Sequence, residues 1–220
     1  LGSFGWISNF SFYYAHHMST IEGGMICTND KEVYNFCRLM RSHGMLREMD
    51  DVETKSAVIS NNPELNPEFI FMYPAYNMRN TEIGAVLGIN QLKKLDGFIE
   101  KRNKNFLYFL SQLDKKIYFT DFKLEGISNY AFNIFLSDDY KEKVDVLITN
   151  MKREGIEFRR GSAGGGNQLR QPYLKNYVPK NYHKNFPVVE HVHFYGFYIG
   201  NFPSLARAEI DSICSVLNNL

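Results

Sequence analysis

The chain has 220 residues, 44% hydrophobic and 22% charged, with 25 Lys and Arg against 24 Asp and Glu. That is enough apolar mass for a core in one or two domains, and a net charge of +1 gives no reason to expect nucleic acid or a membrane surface as partner. No apolar run approaches the ~20 residues of a membrane span, and the three cysteines, Cys27, Cys37 and Cys214, lack metal-ligand spacing, so they are expected to be reduced thiols, buried rather than reactive, in a cytoplasmic protein.

Residues 4–14 (FGWISNFSFYY) carry aromatics on alternate positions and predict a strand. Gly23 and Gly24 turn the chain, and residues 25–28 predict the returning strand. Two strands alone are not a stable sheet. With Leu1-Gly2-Ser3 in place of an initiator Met, the chain is expected to be the C-terminal part of a longer protein. Asn29-Asp30 offers a cap for a helix over 31–41, and Ser42-His43-Gly44 stops it, with a glycine where a helix C-terminus wants one. Residues 44–78 form a long polar connection broken by Asn62-Pro63, Asn66-Pro67 and Tyr73-Pro74. Thr81-Glu82 opens a long helix whose apolar stripe runs from Ile83 to Leu113.

Short elements follow. Residues 130–136 predict a strand, 141–154 an amphipathic helix closed by Gly155, and 156–160 a strand leading into the glycine-rich GSAGGGNQ. Residues 172–187 read as irregular, 195–199 as a strand and 204–217 as the terminal helix. The alternation predicts a small α/β domain behind a linker helix. The expected division is 1–79, part of a larger domain; 80–116, the linker helix; and 117–220, the small domain.

His16 and His17 stand at the end of the first strand, where α/β proteins tend to place ligands. An imidazole there can serve as a base near neutral pH, or simply be a polar strand end. The loop after Glu157 holds Arg159, Arg160 and Arg170 around its glycines. Guanidinium forks and backbone N–H groups could cradle a diphosphate there, though the GK[ST] ending of a Walker A loop is absent. Arg159 is the better candidate of the adjacent pair, since neighbouring strand residues face opposite sides. His191 and His193 would share one face of an extended segment, with no obvious third metal ligand.

The run Ser11-Phe12-Tyr13-Tyr14-Ala15-His16-His17-Met18-Ser19-Thr20-Ile21-Glu22-Gly23-Gly24-Met25 resembles the active-site segment of the DegT/DnrJ/EryC1 family, PLP-dependent nucleotide-sugar enzymes of the aspartate aminotransferase fold. Most members have a Lys six residues before the Glu of the Glu-Gly-Gly turn, and it forms a Schiff base with PLP. Here that position is His16, which has no primary amine but can move a proton. The resemblance therefore implies the sugar 3-dehydratase branch, which removes a hydroxyl instead of installing an amine. One enzyme of that branch carries an iron–sulfur cluster on closely spaced cysteines; with only Cys37 available after this segment, no cluster is expected.

Further stretches resemble the family: Arg41-Ser42-His43-Gly44 with Arg47, then Tyr76-Asn77-Met78-Arg79-Asn80-Thr81-Glu82-Ile83, then the arginine and glycine-rich loop through Asn167. The resemblance implies His16 as the catalytic base and Ser11 and Asn77 as holders of the PLP phosphate, the latter across a subunit boundary. It implies His43, Arg47, Arg79, Arg159 and Asn167 as substrate-binding residues. Plain structural roles compete: a helix C-cap at His43, an N-cap at Asn80 or Thr81. The implied substrates are a GDP-linked 4-keto-6-deoxy sugar and glutamate, the cofactor PLP or PMP without a covalent Lys link, and the assembly a homodimer with shared sites. The residues that hold the pyridine ring are expected upstream of this chain, which alone is expected to be inactive. A nucleotide-sugar aminotransferase and a non-catalytic PLP-fold binding protein stay open as alternatives.

Overall fold

The computed structural model describes residues 2–161 and 166–220. The glycine-rich stretch expected to contact phosphate has its residues 162–165 outside the described ones. The chain forms two compact units, Leu1–Leu95 and Asp96–Leu220. The boundary falls inside one long helix.

In the first unit, β1 (Ile7–Ser11) pairs antiparallel with β2 (Gly24–Thr28), Ile7 opposite Thr28 and Ser11 opposite Gly24. Helix α1 (Lys31–Arg41) starts where the Asp30 carboxylate accepts from the N–H groups of Glu32 and Val33. The same carboxylate accepts from Trp6 Nε1 at 2.9 Å, which ties the start of β1 to the start of α1. The helix ends on Gly44, whose N–H returns to the Leu39 carbonyl at 2.8 Å. Gly44 has φ +73°, and a Cβ there would stand 2.2 Å from the Tyr73 carbonyl oxygen, so only glycine fits.

The connection after Gly44 is less irregular than its composition suggests. It contains α2 (Val52–Asn61), capped by the Asp51 carboxylate, which accepts from the Glu53 and Thr54 N–H groups and the Thr54 hydroxyl. Residues 70–78 then fold back along 40–46. Leu46 N–H donates to the Ile70 carbonyl, Met72 to Gly44, Tyr76 to Met40 and Met78 to Arg41. Leu39, Leu46 and Ile70 form the small buried centre of this unit.

Helix α3 (Glu82–Gln112) changes character along its length. Ile83, Val86, Ile89 and Leu92 are exposed, whereas Phe106, Phe109, Leu110 and Leu113 are buried in the second unit's core. That unit also contains β3 (Ala131–Phe135), α4 (Val144–Arg153), β4 (Phe158–Arg160), α5 (Pro187–Tyr195), β5 (Gly196–Gly200) and α6 (Arg207–Asn218). The sheet order is β3-β5-β4, all antiparallel, with Phe132 opposite Ile199 and Ile134 opposite Phe197. Phe109 of α3 stacks on Phe132 with ring centres 4.3 Å apart. Leu147, Met151, Ile210, Cys214 and Leu217 complete the core from α4 and α6. Burial pushes the Cys214 thiol up to about 12, which keeps it protonated and inert.

Asn201 locks α3 to this sheet. It is fully buried, its amide donates to the carbonyls of Arg102 and Asn129 at 2.9 Å each, and its own carbonyl accepts from the Arg102 guanidinium. Among the described residues, no helix is long and apolar enough to cross a membrane.

Helix α5 corrects one expectation. Residues 190–193 are helical, not extended. Pro187 at the first turn presets the helical backbone angle. Val188 and Val189, which favour a strand locally, are exposed on this helix, and Val192 is half-buried. His191 and His193, two apart on a helix, therefore point differently. His191 Nε2 lies 2.8 Å from the Leu136 carbonyl oxygen, while His193 Nδ1 accepts from the Asn167 N–H at 3.2 Å.

Candidate active site

The segment between β1 and β2 is a closed turn. Phe12 N–H donates to the Gly23 carbonyl and Thr20 N–H to the Phe12 carbonyl, both at 2.9 Å. Inside it a tighter turn forms, with His16 N–H on the Tyr13 carbonyl at 3.0 Å. The His16 ring is exposed, stands edge-on to Tyr13 and places Nδ1 3.3 Å from the Ser11 carbonyl oxygen. Ile21 has φ +73°. A β-branched residue in the left-handed region costs on the order of 1–3 kcal/mol, so this strain sits beside the Glu22-Gly23-Gly24 corner. The N–H of Ile21 is received by the Ser19 hydroxyl at 3.1 Å.

Ser11, at the end of β1, is exposed, and its hydroxyl receives the Tyr13 N–H at 3.4 Å. His43 and Asn77 are brought together. Ser42 bridges Asn77 across an antiparallel pair, and His43 N–H donates to the Tyr76 carbonyl at 2.6 Å. His43 takes φ +60°, turning its ring out of the helix end. It lines an open cleft of about 360 Å³ with Phe71, Met72, Tyr73, Pro74 and Ala75. Arg47 is exposed, its guanidinium over the Phe69 ring at 5.4 Å. Arg79 is half-exposed, with Nη2 4.0 Å from Glu48 Oε1. These groups give the first unit an imidazole, two guanidinium groups and two neutral hydrogen-bonding side chains, a set suited to phosphates.

In the second unit the alternation along β4 is as expected. Arg160 is committed inward, donating to the Phe194 carbonyl at 2.6 Å and lying over the Phe197 ring. Arg159 faces the other way, exposed, and pairs with Glu157 at 2.7 Å. Asn167 is 2% exposed. Its side chain receives the Leu169 N–H and donates to the His183 carbonyl and to Glu190 Oε1, the last at 2.8 Å. It anchors the end of the glycine-rich loop, where Gly166 N–H donates to the Gly161 carbonyl at 2.7 Å.

Sequence reasoning missed the partners of that anchor. Arg170 forks onto the two oxygens of Glu190 and lies over the Phe194 ring. The Arg170 fork, seconded by the Asn167 amide, holds the Glu190 carboxyl down at about 2 against the opposing effect of burial. His193 is kept below its ordinary value by burial first and the Arg170 charge second, which preserves its neutral, accepting Nδ1. Arg170 and Glu190 lie twenty residues apart on different elements, so no local spacing announces them. Thr20 was also missed, although it is the one buried residue of the His16 turn.

Comparison with known proteins adds the following. The model of the DegT/DnrJ/EryC1/StrS aminotransferase family matches residues 1–218. A GDP-4-keto-6-deoxy-D-mannose 3-dehydratase from Escherichia coli O55:H7 is 32% identical over 98% of this chain and 55% of its own length. The structure of the E. coli GDP-4-keto-6-deoxy-D-mannose-3-dehydratase with bound hydrated PLP superposes with a TM-score of 0.80 at 30% identity, over 99% of this chain and 55% of that one. A structure of GDP-4-keto-6-deoxymannose-3-dehydratase with a trapped PLP–glutamate geminal diamine gives 0.79 at 30% identity, covering 99% and 56%. The chain thus spans about half the length of the curated relatives it matches.

Proposed function

We propose that this chain, which belongs to the DegT/DnrJ/EryC1/StrS aminotransferase family, carries part of the site of a PLP- and PMP-dependent nucleotide-sugar 3-dehydratase. Its fold is that of the aspartate-aminotransferase-type PLP enzymes over the part it spans. The substrate of this reading is a GDP-linked 4-keto-6-deoxy sugar, such as GDP-4-keto-6-deoxymannose, with glutamate as amine donor. A single observation carries it. The turn before Glu22-Gly23-Gly24 presents His16 and contains no lysine from residue 11 to 30, so it offers an imidazole where a transaminase needs a primary amine.

The residues present fit such a cofactor held without a covalent link. Ser11 and Asn77 are exposed neutral donors of the kind a phosphate accepts from. When bound, the PMP form supplies the amine that engages the C4 keto group and the electron sink that lets a neighbouring hydroxyl depart. With the cofactor bound, His16 would be placed to take a proton from its C4′ carbon and to return one to the departing C3 oxygen. His43, Arg47 and Arg79 receive phosphate charge in the first unit, and Arg159 in the second. Asn167 holds the end of the loop that follows Arg159. The products are a 4-keto-3,6-dideoxy sugar and ammonia. A second copy of the chain completes the site in this reading, and the exposed stripe of Ile83, Val86, Ile89 and Leu92 supports that pairing.

The test is direct. The full-length protein containing this chain is incubated with PLP, glutamate and GDP-4-keto-6-deoxymannose. Release of ammonia with a deoxygenated ketosugar is expected. An amino sugar product would make the protein an aminotransferase, and bound cofactor without turnover would make it a binding protein.

A further inference from the structure

Of residues 12–23, only Thr20 is buried, at 7% exposure. Each part of it is engaged. Its N–H closes the turn on the Phe12 carbonyl, and its hydroxyl donates to the Glu22 carbonyl at 2.8 Å. Its methyl lies against α3, where a Cβ placed on Gly88 would stand 3.4 Å from Thr20 Cγ2. A Cβ on Gly23 would meet Thr20 Oγ1 at 2.8 Å and Asn80 Nδ2 at 3.3 Å, and one on Gly84 would meet Asn80 Oδ1 at 2.9 Å. Bare backbone at Gly23 and Gly84 therefore makes room for Thr20 and Asn80, and Gly88 lies in van der Waals contact with the Thr20 methyl.

The other end of the turn holds the His16 ring. Its Nδ1 stands 3.3 Å from the Ser11 carbonyl oxygen. A carbonyl oxygen only accepts, so the facing nitrogen is the protonated one, and in the neutral ring the lone pair resides on Nε2. Ser11 is fixed in register opposite Gly24. The span from Ser11 to His16 therefore depends on how tightly the turn is closed, and Thr20 makes that closure.

We propose that Thr20 is the positioning residue of His16: it locks the turn so that Nδ1–H rests on the Ser11 carbonyl and Nε2 is the atom that accepts the proton. This rests on the reading of His16 as the base. The close approach of Asn80 to Gly84 explains a glycine in the first turn of α3 despite its low helix propensity.

The protein labelled with ¹⁵N-histidine tests this, because the ring-nitrogen shifts separate the two neutral tautomers. The His16 pair is identified as the one lost in His16→Asn. The wild type is expected to show Nδ1 protonated and Nε2 bare at alkaline pH. Thr20→Ser, which keeps the hydroxyl bond, retains that signature. Thr20→Val keeps the shape, loses the bond and moves His16 toward a mixture of tautomers, with kcat for dehydration down about tenfold and KM unchanged. An Nε2–H tautomer in the wild type overturns the proposal, and so does Thr20→Val matching the wild type in both tautomer and kcat. Should Thr20→Val fail to fold, the wild-type tautomer decides independently. Full dehydration by His16→Asn would instead remove the base assignment while leaving the tautomer result standing.

Discussion

At the scale of single residues, the proposed chemistry rests on one imidazole, His16, in the turn before Glu22. His16→Asn keeps a polar side chain of similar reach and removes the base. Ammonia release is expected to fall by about 10²–10⁴-fold, with cofactor absorbance in the isolated protein little changed. Arg159 makes a different kind of contribution. It is exposed and pairs with Glu157, two residues before it, so in the proposed reading it would hold a diphosphate equally in ground and transition states. Arg159→Ala is expected to raise KM for the GDP-sugar about tenfold with kcat nearly constant, as steady-state kinetics would report. The sequence singles out His16 by its position counted from Glu22. It does not single out Thr20, because the contact that distinguishes it from Ser19 is made with a helix more than sixty residues on.

At the scale of elements, the two units use different means to fix their loops. The loop after β4 is held by charge. Glu190 has a folded value of about 2 against an ordinary 4.5. A carboxylate depressed in this way stabilises the fold fully above its unfolded value, and that contribution is lost as pH falls from about 4.5 through about 2. Glu190→Gln is therefore expected to lower Tm at pH 7, and the gap from wild type is expected to close toward pH 2 in thermal melts. The turn after α1 is held by backbone geometry instead. Gly44→Ala forces a side chain into the left-handed region and against the Tyr73 carbonyl. It is expected to cost about 1–3 kcal/mol or more in urea unfolding and to disturb the cleft beside His43. The sequence showed the Gly44 stop and the caps of α1. It also held the signal for α2, an Asp followed two residues later by a Glu, which the prolines nearby concealed. Helix α5 was hidden for a stronger reason. Three valines favour a strand locally, and the helix that Pro187 opens runs against that preference.

For the molecule as a whole, the second unit carries most of the core. Its centre is the stacked pair Phe109 and Phe132, one from α3 and one from β3. Phe109→Ala is expected to destabilise this unit by about 3–5 kcal/mol, seen as an early loss of its near-ultraviolet circular dichroism. The first unit has a smaller buried centre and a two-stranded ribbon with exposed aromatic and aliphatic side chains. The α/β class and the long helix were legible because periodicity over many residues survives local exceptions. The extent to which that helix is covered was not, since exposure depends on what packs beside it.

Helix α3 also has a consequence in time. Between Phe106 and Leu110 it is sealed in a core, and Asn201 grips it at Arg102; from Ile83 to Leu92 it carries exposed apolar side chains on another face. One continuous hydrogen-bonded ladder thus joins a slow-opening end to a fast-opening one. Deuterium uptake along it should form a gradient, early at 83–92 and late at 106–112, and limited proteolysis should nick the leading half first.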